Sequence, residues 1–125
     1  MPAKVLVAVV DDDASAREAI CGLVRVLGFD AVGFASGTSF LGSDEVARTA
    51  CLITDMRMPD MTGLELHGRL AASGRRISSI LITSYEDETL HARATSAGVH
   101  CCLAKPLEPE DLLQCIRSAI ADEPR

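Results

Sequence analysis

Apolar residues are distributed along this chain in two alternating patterns: short unbroken runs, and longer stretches in which they recur every three or four positions. The first run, KVLVAVV at residues 4–10, is valine-rich and stops at three aspartates. It predicts a strand buried on both faces, as in a parallel sheet. Ile20, Leu23, Val24 and Leu27 then follow helical spacing, and Gly28 is placed to end that helix. Residues 30–34 predict a second strand. Ser36, Thr38 and Ser39 offer hydroxyl caps to a short helix carrying Phe40 and Leu41.

A third strand over residues 51–54 gives way to a loop containing Pro59 and Gly63. Leu64, Leu66 and Leu70 mark the next helix, which ends near Ser73 and Gly74. Residues 77–83 predict a fourth buried strand. Ser84 and Asp87 have the spacing of a capping box, ahead of a helix through Leu90, Ala94 and Ala97 that stops at Gly98. Residues 99–104 predict a fifth strand, closed by Lys105-Pro106. The last helix starts around Pro109, with acidic residues in its first turn and Leu112, Leu113, Ile116 and Ile120 facing inward. Residues 122–125 read as a polar, frayed tail.

Five strands alternating with five helices through short connections predict an α/β fold, a doubly wound parallel sheet with helices on both faces. No internal repeat or linker interrupts the pattern, so one domain is expected to fill residues 1–125. Composition agrees: 48% hydrophobic and 24% charged residues over 125 positions suit a globular chain with a core of its own. With no Trp, one Tyr and three Phe, that core must be aliphatic.

A formal charge of -6 and a pI near 4.9 argue against direct nucleic-acid binding. Arg75-Arg76 is too short a basic step to change that. No signal peptide opens the chain and no apolar run approaches membrane-spanning length, so a cytoplasmic protein with no membrane association is expected. Cys21, Cys51, Cys101, Cys102 and Cys115 show no C-x-x-C spacing and read as small buried hydrophobes in a reducing compartment. His67, His91 and His100 lack ligand spacing and read as surface or packing residues.

The candidate chemistry lies just beyond the strands. Asp11, Asp12 and Asp13 follow the first, Asp55 the third, Thr83 and Ser84 the fourth, and Lys105 the fifth. In a parallel sheet all strand carboxyl ends share one edge, so these residues are expected to converge there. Carboxylates held that close repel one another unless a cation neutralises them. A hard divalent ion suits them, since Mg²⁺ favours one or two carboxylates together with water and a phosphate oxygen. A lysine and a hydroxyl opposite would suit a phosphoryl group. Asp55, alone at its strand end, is the better nucleophile, and the pair after the first strand the better metal holder. Asp13 reads as a helix N-cap.

The residues Val10-Asp11-Asp12-Asp13, Thr54 to Leu66 (TDMRMPDMTGLEL), Leu81-Ile82-Thr83 and Lys105-Pro106 resemble the receiver (CheY-like) domain of two-component response regulators, almost from end to end. The T-D-x-R-M-P-D-M-T-G form is similar to the FixJ-type subgroup in particular. The resemblance implies a flavodoxin-like sheet of strand order 2-1-3-4-5. It also implies Mg²⁺-dependent (or Mn²⁺-dependent) acceptance of phosphate on Asp55 from a histidine kinase. Asp12, Asp55 and the backbone carbonyl of Arg57 would bind the metal, with Asp11 helping through water, and Thr83 and Lys105 would contact the phosphoryl group. In the family the Lys-Pro bond is commonly cis, Tyr85 would tune dephosphorylation with Arg57, and dimerisation through the fourth helix and fifth strand follows phosphorylation.

On this view the chain is not an enzyme beyond its own phosphorylation and dephosphorylation. One departure concerns signalling: the family's switch uses an aromatic three residues before the lysine, and Cys102 stands there. FixJ-type proteins carry a C-terminal helix-turn-helix domain, and these residues stop short of such a segment. Two other function classes fit less well. An aspartate-nucleophile phosphatase acting on an external substrate resembles D-x-D, whereas Arg57 stands two residues after Asp55 and cannot act as acid or base. A module used only to bind protein would not need the acidic pair, Asp55, Thr83 and Lys105 together.

Overall fold

The computed structural model describes residues 5–75, 77–84 and 88–121, apart from the side chains of Glu88 and His91. Strands β1 (Leu6–Val10), β2 (Asp30–Phe34), β3 (Thr49–Asp55), β4 (Ser78–Thr83) and β5 (Cys101–Ala104) form one sheet. All pairings are parallel and the order is β2-β1-β3-β4-β5. Helices α1 (Ala14–Val26), α2 (Gly37–Leu41), α3 (Gly63–Ala72), α4 (Glu88–Ser96) and α5 (Pro109–Ala121) alternate with the strands. The architecture is the doubly wound one that the hydrophobic pattern predicts.

The strands are apolar on both sides because both sides are covered. Val7 and Val9 of β1, Cys51 and Ile53 of β3, and Ile80 and Ile82 of β4 face one layer, where they meet Ile20 and Val24 of α1 and Leu112 and Ile116 of α5. Ala8, Val10 and Leu52 point the other way, onto Phe40 of α2 and Leu66 and Leu70 of α3. That alternation is the period-2 geometry of a strand applied to two cores. Phe34 meets Phe40 edge-to-face at a centroid distance of 5.2 Å.

Differences from the expected boundaries have local causes. β5 starts at Cys101 and not at residue 99, because the Val99 amide is committed to the Ala94 carbonyl at 3.0 Å, closing α4. β3 starts two residues early, at Thr49, after a 3-10 turn at Val46–Arg48 too short to leave a periodic signal. Asp13 caps α1 as read, accepting from the Ser15 and Ala16 amides, and Ser36 caps α2. Thr62 and Glu65 form a reciprocal capping box at the start of α3. Lys4, the Asp87 half of the Ser84 capping pattern and the tail at 122–125 lie outside the described residues.

His67 does more than fill space. Buried in α3, it places Nδ1 2.8 Å from the Ser79 hydroxyl of β4 and Nε2 2.9 Å from the Ala97 carbonyl just past α4. A carbonyl only accepts, so Nε2 carries the hydrogen that reaches Ala97, while Nδ1 shares the other bond with the Ser79 hydroxyl. His100 contacts the Ser118 hydroxyl of α5 at 2.8 Å. The thiols divide: Cys21 and Cys51 are buried as expected, whereas Cys101, Cys102 and Cys115 are only half-buried at the β5 edge and on α5, so their reading as buried hydrophobes is corrected.

Gly63, the first residue of α3, sits against the end of β3. A Cβ there would come within 2.5 Å of a Leu81 methyl and 2.7 Å of the Asp55 carbonyl oxygen. Backbone cannot yield as a side-chain tip can, so Gly63→Ala is expected to lose about 1–3 kcal/mol in urea denaturation. Gly68, mid-α3 with nothing within 4 Å of its missing Cβ, behaves oppositely: Gly68→Ala is expected to gain roughly 0.5–1 kcal/mol.

Candidate functional site

The register of the parallel strands assembles the site. Val10 is paired with Thr54, so the next residues, Asp11 and Asp55, emerge side by side at the carboxyl edge. Asp55 is in turn paired with Ile82, and Thr83 with Ala104, which brings Thr83 and Lys105 to the same edge. Backbone bonds extend the pairing beyond the strands: the Met56 amide donates to the Ile82 carbonyl at 2.9 Å and the Lys105 amide to the Thr83 carbonyl at 2.8 Å. The Lys105-Pro106 peptide is cis.

Ligand oxygens of Asp11, Asp12 and Asp55 lie within 4.8 Å of one another. Lys105 Nζ stands 3.4 Å from Asp55 Oδ1. The Asp55 side chain retains 13% of its exposure and Lys105 36%, so both remain within reach of a reactant. Thr83 is buried at the end of β4. Arg57 follows Asp55 by two residues in the loop, its side chain exposed. Tyr85 lies outside the described residues.

Asp11 is the most constrained member. It is 2% exposed, and its Oδ1 accepts the Asp13 amide at 3.0 Å while its buried Oδ2 has no hydrogen-bond partner among the described residues. Burial pushes its carboxyl above the ordinary value; the Asp13 amide opposes that shift and the charge of Asp55 adds to it. An oxygen that is buried, anionic and unpaired is costly, and a hard cation relieves the burial, the repulsion and the missing partner together. The donor set therefore fits a divalent oxygen-seeking ion such as Mg²⁺.

Two supports went unread in the sequence. Arg17 Nη1 donates to the Asp11 carbonyl at 2.8 Å, fixing the backbone where β1 ends. Asp60, in the loop after Asp55, accepts from both the amide and the hydroxyl of Thr38 at 2.9 and 2.8 Å, tying that loop to the start of α2. These contacts span elements far apart in sequence and leave no spacing signal. The Thr62–Glu65 box also went unread, although T-x-x-E carries its signal.

Comparison with known proteins bears on what this edge is for. The sequence profile described as the response regulator receiver domain matches residues 7–117. The chain belongs to this family. Among relatives of the receiver domain, the response regulator protein TmoT of Ectopseudomonas mendocina is 38% identical over 117 residues, spanning 94% of this chain and 53% of that protein. The transcriptional regulatory protein FixJ of Rhizobium meliloti is 33% identical over 111 residues, 89% of this chain and 54% of that one. The crystal structure of FixJ-N superposes with a TM-score of 0.88 at 29% identity, covering 100% of this chain and 99% of that one. The response regulator StyR superposes with a TM-score of 0.85 at 39% identity, covering 95% of this chain and 60% of that one. The chain spans about half the length of the curated relatives it matches. No helix among the described residues is long and apolar enough to cross a membrane.

The receiver's acidic edge generates two expectations. Added Mg²⁺ should raise the melting temperature of the wild type, by about 2.7 kcal/mol of stability at a hundredfold excess over Kd, and Asp12→Ala should lose that response. Asp11→Asn should lose it too while melting higher than the wild type without metal; a lower metal-free melting point would contradict the burial argument.

The second expectation concerns acid. The two Thr38 hydrogen bonds, the amide's being the larger influence, hold the Asp60 carboxyl below its ordinary value of 3.8. A depressed carboxyl stabilises the fold above its unfolded pKa and stops doing so as pH falls through its lower folded value. The stability difference between the wild type and Asp60→Asn should thus be flat above pH ~5 and shrink below pH ~4, as followed by thermal melts.

Proposed function

We propose that this receiver domain is a phosphorylation-operated switch, with residues 1–125 acting as one unit. Asp55 accepts a phosphoryl group from the phosphohistidine of a histidine kinase in the cytoplasm. The observation that carries this reading is Asp55 held 3.4 Å from the Lys105 ammonium within a three-carboxylate cluster. A structural ion pair would not need two further aspartates crowded against it. A nucleophilic carboxylate beside a cation and a metal-binding pair has a use for all of them.

In this mechanism a carboxylate oxygen of Asp55 attacks phosphorus in line, and the P–N bond to the kinase imidazole breaks. When Mg²⁺ or Mn²⁺ is bound, Asp12, Asp55 and the Arg57 carbonyl would hold it, with Asp11 helping through water, and it would neutralise charge on the phosphoryl oxygens. Lys105 shifts its ion pair from the carboxylate to a phosphoryl oxygen, which carries more charge and accepts more hydrogen bonds. Thr83 donates its hydroxyl to another. Both residues close strands that pair with each other, so their displacement is felt along β4 and β5 and on the adjoining face of α4 and α5. A second copy docking through α4 and β5 is the output we favour. The later return of Asp55 to a free carboxylate is hydrolysis by water, so the only substrate is the domain itself.

Intact-mass spectrometry with acetyl phosphate and Mg²⁺ tests the reading. One phosphoryl group should be gained by the wild type and none by Asp55→Asn, and Lys105→Ala should slow the gain by on the order of 10²-fold. A wild-type mass that does not move, or a gain that persists in Asp55→Asn, would sink it.

A further inference from the structure

The phosphoacceptor site leaves unexplained a second group of nucleophiles, on the far side of β5. Cys101 opens β5, the last strand in the order, and Cys115 lies in α5. Both pack with Leu103 against the core layer beneath α5, whereas Cys102, one residue along the strand, is absent from that layer, as strand alternation requires. Cys101 is also the side-chain neighbour that acts on the Cys115 thiol. The two line a shared surface cavity of about 300 Å³ together with Leu103, Asp111, Gln114 and Ser118. Two neighbouring thiols, half-buried and open to one cavity, differ from Cys21 and Cys51, which are closed inside the core.

We propose that Cys101 and Cys115 form a peroxide-reactive dithiol that closes to a disulfide joining β5 to α5. The two sulfurs are not equivalent. Burial first, then the neighbouring Cys101 thiol and the charge of Asp111, push the Cys115 thiol up to about 12. Cys115 therefore keeps its proton until the second step, and Cys101 is the attacking sulfur.

The Cys101 thiolate takes the distal oxygen of a hydroperoxide: the S–O bond forms, the O–O bond breaks, and the departing oxygen takes up a proton and leaves as water. The Cys115 sulfur then displaces the hydroxyl of that sulfenic acid. The S–S bond forms, the S–O bond breaks, and the hydroxyl leaves as a second water with the Cys115 proton. In sum, two thiols and one hydrogen peroxide give one disulfide and two waters. The two electrons lost by the sulfurs reduce the peroxide, and cellular thiols reverse the bond by exchange.

The test uses the folded wild-type chain and a Cys102→Ser variant, so neither member of the pair is altered. Each is treated with hydrogen peroxide in molar excess, blocked with an alkylating reagent and digested after glutamate; Glu108 and Glu110 separate Cys115 from the Cys101 peptide. Peptide mass spectrometry should find both proteins lighter by two hydrogens, with Cys101 joined to Cys115 in the same chain and the bond reversed by dithiothreitol. In Cys115→Ser, dimedone should trap a sulfenic acid on Cys101. A disulfide through Cys102, a bond between chains, or free thiols at both positions after treatment would each overturn the proposal. None of these outcomes depends on whether Asp55 accepts phosphate.

Discussion

The parallel register of β1, β3, β4 and β5 is the constraint on which the rest of this domain depends. Four strands that all run the same way must deliver their carboxyl ends to one edge, and the pairings of Val10 with Thr54, Asp55 with Ile82 and Thr83 with Ala104 set the depth at which each polar residue emerges. A slip of one residue would turn Asp55 from the mouth of the sheet towards a core layer. The apolar faces that hold the register thus also hold the charges, and the repulsion among three carboxylates is sustained by two hydrophobic layers.

The supports around Asp55 follow the same logic at shorter range. Gly63 allows α3 to start hard against the Asp55 carbonyl, and the Thr62–Glu65 box fixes where that helix begins. Asp60 reaches sideways to Thr38, and Arg17 holds the carbonyl of Asp11. The loop that carries Arg57 is therefore anchored at both ends before any ligand arrives, which is the preorganisation an electrostatic site requires.

Much of this was legible in the sequence, for a physical reason. Strands buried on both faces write themselves as unbroken apolar runs, and polar residues closing such runs can only sit at the edge; that is how Asp11, Asp55, Thr83 and Lys105 could be grouped from positions nearly a hundred residues apart. The Asp13 and Ser36 caps are local and were equally plain. What escaped was non-local or aperiodic. The Asp60–Thr38 and Arg17–Asp11 contacts join different elements, the turn at Val46–Arg48 is a single turn, and β5 is shortened by the closure of α4. The cysteines misled because a thiol in a sequence has no face; only the alternation along β5 separates Cys101 from Cys102.

His67 carries a consequence for α4. Its Nε2–H donates to the carbonyl of Ala97, and its Nδ1 is already engaged by Ser79 on the rigid sheet. Any rearrangement that lifts the end of α4 from α3 strands that N–H in a buried place, at about 1–3 kcal/mol. The imidazole is in effect a latch with a fixed strength: it weights the resting seat of α4 by roughly one to two orders of magnitude in population, and a signal that moves this helix must supply at least that much differential free energy.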